Sequence, residues 1–85
     1  MKYCAHHELD SFLRELPGMI ARGGTWEAVG ERYRLVDDII FQVYGIRKHP
    51  REKTVDFMQQ RIIPNSDCRK KEVLFEMLFD KIVLS

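Results

Sequence analysis

Between Thr25 and Gly45 the apolar residues Trp26, Val29, Tyr33, Val36, Ile40 and Val43 recur at steps of three and four. A helix turns by about 100° per residue, so this rhythm places them all on one face. Glu27, Glu31, Arg34, Asp38 and Gln42 keep the same step on the opposite face. Thr25 suits the N-cap, where its hydroxyl can take a backbone N–H of the first turn. Gly45 suits the left-handed position that closes the last turn. Past Leu35 the apolar sector widens to Ile39, Phe41, Tyr44 and Ile46. A helix apolar over so wide an arc needs neighbours on more than one side, which predicts a central rod in a bundle. Gly30 lies inside it beside Trp26 and Tyr33, at a cost of about 1 kcal/mol relative to alanine. Close packing of another helix, or of a partner, against its bare backbone would account for that choice.

The rest of the chain supplies the neighbours. Leu9, Phe12, Leu13, Leu16 and Ile20 trace a helical stripe from His6 or His7 to Arg22. Pro17 falls within it and removes a backbone hydrogen bond, yet Met19 and Ile20 continue the stripe in register. This predicts a first helix kinked or split at Pro17, ended by Gly23-Gly24. Pro50 suits the first position of a third helix running to Ile63, with Val55, Met58 and Ile62 inside, Phe57 beside them, and Pro64 as the stop. Asn65 or Ser66 then opens a last helix to about Val83, whose inner face is Leu74, Phe75, Leu78, Phe79 and Ile82. No segment alternates with period two for long enough to make a strand. Residues 1–85 therefore read as one all-α domain, a small antiparallel four-helix bundle.

Composition narrows the function classes. Fourteen Lys and Arg against thirteen Asp and Glu leave a formal charge of +1, so no overall field draws the chain to nucleic acid or membrane. No run approaches the roughly 18 apolar residues that span a bilayer. Cys4 and Cys68 are the two cysteines and sit far apart, whereas a disulfide-stapled secreted domain would be expected to carry more at tighter spacing. These features predict a cytoplasmic protein with reduced thiols and no membrane association.

Candidate chemistry is sparse. Cys4, His6 and His7, with Cys68 and His49, are able to bind metal but lack the paired spacing of a zinc site; exposed imidazoles account for them, and no metal or cofactor is expected. There is no nucleophile elbow, no phosphate-cradling glycine loop and no H-E-x-x-H. Asp37 and Asp38 are adjacent, point about 100° apart on a helix, and cannot share a proton. Glu27 and Glu31 belong to a solvated face. Cys68 sits where a helix N-terminus and nearby cations would lower a thiol pKa, but a small buried or half-buried cysteine is the favoured account of it.

The basic clusters carry the clearest local signal. Arg47, Lys48, His49, Arg51 and Lys53 surround one turn, where cations complement the C-terminus of the helix before them. Arg69, Lys70 and Lys71 instead oppose the positive end of the helix they open, and a locally unfavourable choice points to use. In an antiparallel layout about 14 helical residues separate the clusters by roughly 20 Å, which argues against a single nucleic-acid groove. Spare apolar groups such as Phe41 and Ile63 fall off the main stripes and would meet a partner protein or a second copy of the chain, unless the core absorbs them.

In size and helical layout the chain resembles small helical immunity proteins that neutralise bacterial toxins, such as the colicin D inhibitor type, and many phage- or plasmid-borne inhibitors. The likeness is one of scale and class, and no motif transfers a functional residue. The leading expectation is a non-enzymatic protein-binding module (inhibitor, immunity protein, adaptor or small chaperone) that masks a partner with an acidic surface. Arg47, Lys48, Arg51, Arg69, Lys70 and Lys71 are its expected contacts. The competing expectation is a small nucleic-acid-binding regulator using residues 47–53 and 69–71.

Overall fold

The computed structural model describes residues 6–84, with side chains from Glu8 onward. Among these residues the chain is all-helical and its helices pack together: α1 (His6–Ala21), α2 (Trp26–Tyr44), α3 (Thr54–Phe57) and α4 (Cys68–Leu78). A π turn continues α3 over Met58–Ile62, and another continues α4 over Phe79–Val83.

α1 runs unbroken through Pro17 and buries its whole predicted stripe of Leu9, Phe12, Leu13, Leu16 and Ile20. It has no cation in its last turn. Arg32 of α2 supplies one from outside, donating from Nη1 to the carbonyls of Ile20 at 2.6 Å and Arg22 at 3.2 Å. Carbonyls at a helix C-terminus lack partners within the helix, so this side chain serves as their cap.

α2 has the ends expected of it. Thr25 Oγ1 accepts the N–H of Ala28 at 3.2 Å, and Gly45, at φ 71°, donates to the Phe41 carbonyl. The predicted stripe is buried only over its C-terminal half. Val36, Ile39 and Ile40 are buried, whereas Val29, Tyr33 and Val43 are partly so, and Trp26 is 92 % exposed. α2 touches α1, α3 and α4, but α1 also reaches every other helix and buries more side chains. The core is thus centred on α1 and the second half of α2. Gly30 faces open space, with nothing within 4 Å of where a Cβ would stand, so close packing does not explain it.

The third helix begins at Thr54, not Pro50. Glu52 N–H donates to the His49 carbonyl at 2.9 Å, which makes His49–Glu52 a turn with Pro50 at its second position. The φ that proline fixes suits that place as well as a helix start. Arg51 N–H also donates to His49 Nδ1. Pro64 lies in a short 3-10 turn, Ile63–Asn65. There Asn65 and Ser66 side chains donate back to the carbonyls of Arg61 and Ile62. Asp67, rather than Asn65 or Ser66, caps α4, accepting Lys70 N–H at 2.8 Å. Phe57, Met58, Ile62, Leu74, Leu78 and Ile82 complete the core.

Candidate partner-binding surface

The two basic clusters line different depressions. Arg47 and Lys48 border one with Asp37, Ile40, Pro50 and Phe57. Most of this cluster is already committed. Lys48 Nζ donates to the Glu52 carbonyl at 2.9 Å and stands 3.7 Å from Asp37, pinning the turn to α2. Arg47 lies over the Phe41 ring at 4.1 Å. Arg51 is exposed. Asp37 also accepts the Thr54 hydroxyl at 3.0 Å. Burial raises the Asp37 carboxyl above its ordinary pKa, and the Thr54 and Lys48 interactions oppose that shift without cancelling it.

The second cluster splits two ways, because successive residues of a helix point about 100° apart. Lys71 is 6 % exposed and belongs to the interior, not to a binding surface. Arg69 and Lys70 are exposed and edge a groove between α2 and α4, where Gln42, Val43, Val73 and Met77 line the rest. Lys70 Nζ lies 5.7 Å from the centroid of the Tyr44 ring, which holds the ammonium at the groove's edge. The Asp67 carboxylate at the N-cap offsets part of the unfavourable dipole interaction of these cations.

Neither Val73, which is exposed, nor Met77, which is partly buried against the core, is singled out by the sequence reading. Their signal was present: Lys70, Val73 and Met77 follow an i, i+3, i+7 step on the flank of α4. Besides Val73, the exposed large apolar groups are Trp26, Phe41, Ile46, Phe79, Val83 and Leu84.

Among the described residues no group of three or more His, Cys, Asp or Glu gathers where it could hold a metal ion. Cys4 and the side chains of His6 and His7 lie outside the described residues. The expectation of reduced thiols fails at Cys68, which is disulfide-bonded. No described helix is long and apolar enough to cross a membrane. Compared with known families, curated proteins and solved structures, the chain matches none of them.

Proposed function

We propose that this chain is a non-enzymatic protein-binding module that masks a surface of a partner protein carrying acidic groups. The reading rests on one observation above the rest: exposed Val73 shares a groove with the surface cations Arg69 and Lys70, and further large apolar side chains, foremost Trp26, stand exposed elsewhere on the chain. Tryptophan and arginine dominate binding energy where proteins meet. In the same proposal the helices run antiparallel as a bundle and α1 bends at Pro17. A cytoplasmic setting also belongs to it, and the disulfide at Cys68 weighs against that setting because disulfides persist in oxidising compartments.

The test is capture from an extract of the native host by the immobilised full chain, with Trp26→Ala and Arg69→Glu/Lys70→Glu variants beside it. A protein retained by wild type and lost by a variant of unchanged helicity supports the reading. Retention of nucleic acid that falls steeply as salt rises would replace it with the nucleic-acid regulator. Retention of nothing would remove it.

A further inference from the structure

We infer that the groove between α2 and α4 receives an acidic amphipathic helix of the partner protein. This deepens the protein-binding reading and rests on it. The floor is apolar, made by Val43, Val73 and Met77, and the cationic edge is made by Arg69 and Lys70. The groove holds about 360 Å3. An apolar cavity of about 150 Å3 suffices for benzene, so one bulky side chain of the partner fits with room beside it. The opposite sign of charge at one end fixes which way the incoming segment lies. A nucleic-acid strand would find two cations along this groove and no aromatic side chain in its lining on which a base could stack.

The fold also selects the partner's conformation. Both walls are helices, whose backbone groups are satisfied within themselves, and the described residues hold no strand edge onto which an extended peptide could add. A helix arrives with its own backbone bonds made and needs only side-chain contacts. From Lys70 to Met77 the wall rises about 10 Å, seven residues at about 1.5 Å each. A matching helix therefore carries a carboxylate and, within about two turns of it, apolar residues at three- to four-residue steps. Lys70 is already held against Tyr44, which lowers the entropy lost when it meets that carboxylate.

Random peptides of about 16 residues, some four helical turns, displayed on phage provide the probe. They are selected on the immobilised full chain and measured against wild type, Val73→Glu and Lys70→Glu. Both substituted positions are exposed, so circular dichroism and the unfolding midpoint should hardly move. The expected result is enrichment of peptides with that acidic and apolar spacing, whose affinity falls at least about tenfold in each variant. Enriched peptides without carboxylates, affinity that Val73→Glu leaves intact, or no enrichment would overturn the inference. A dimer of wild type that Val73→Glu dissolves would give the groove to a second copy and overturn it too. A host protein captured equally by wild type and Val73→Glu would sink the groove while leaving the protein-binding reading standing. Absence of both capture and enrichment would sink the two together.

Discussion

Arg32→Ala tests how the first two helices are tied. The guanidinium makes a part-buried hydrogen bond of 2.6 Å to Ile20 O and an exposed one of 3.2 Å to Arg22 O. A hydrogen bond from a charged donor contributes about 1.5–3 kcal/mol net. The longer, exposed bond adds little, and fixing the arginine removes up to about 2 kcal/mol of side-chain freedom already included in such net values. The orphaned carbonyls at the end of α1 can turn to water, which keeps the loss near the lower end, about 2 kcal/mol. For a domain of this size each kcal/mol moves the midpoint by roughly 4–8 °C, so thermal unfolding followed by circular dichroism should drop by about 8–16 °C. Arg32→Lys, with one compact ammonium in place of a fork, should lose about half as much. Gly24 provides a cross-check. A Cβ there would stand 3.2 Å from Arg32 Nη1 and 3.4 Å from Val29 Cγ2. In wild type the guanidinium is tethered twice and yields poorly, so Gly24→Ala should destabilise. With Arg32 replaced by alanine, the same change should stabilise by about 0.4–1 kcal/mol through the stiffer unfolded chain. A midpoint within about 2 °C of wild type for Arg32→Ala, or equal effects of Gly24→Ala in both backgrounds, would refute the capping argument.

Gly30→Ala should raise stability by about 0.5–1 kcal/mol in urea unfolding, because the added methyl meets nothing within 4 Å and alanine is the better helix former. Trp26 is the chain's single tryptophan and is 92 % exposed, so its emission should already match indole in water, quench freely with iodide, and hardly shift on unfolding. A blue-shifted emission in the isolated chain would contradict that placement. Asp37 binds its proton more tightly folded than unfolded, so its contribution to stability falls as pH rises from the ordinary carboxylate value of 3.8 through its raised folded value. Subtracting the unfolding free energy of Asp37→Asn from that of wild type, point by point, should therefore give a difference that declines over that window; a rising difference would show a depressed pKa instead. Cys68 should resist alkylation by iodoacetamide in unreduced, denatured protein and accept it after reduction, with peptide mass spectrometry as the readout.

How far the sequence carries depends on whether a feature is settled by its immediate neighbours. Thr25 and Gly45 act within one turn of themselves, and α2 ends where they say. The α1 stripe is narrow and regular, and Leu9 to Ile20 all reach the core. Periodicity gives a side chain's direction around the helix but not whether another helix extends far enough to cover it. Trp26 has the right direction and no cover. Pro50 carries a φ shared by a turn and a helix start, and the choice is made at a distance: Thr54 is buried with its hydroxyl on Asp37, which fixes where the helix begins. Arg69, Lys70 and Lys71 form a single charged run in the sequence, yet the helical turn alone requires them to diverge, and the fold sends Lys71 inward. The step Lys70, Val73, Met77 could be counted beforehand. Only the side-by-side placement of α2, which brings Val43 opposite, turns that step from another candidate core stripe into the wall of a groove. The surface proposed for binding is therefore a product of packing between two helices, and neither helix encodes it by itself.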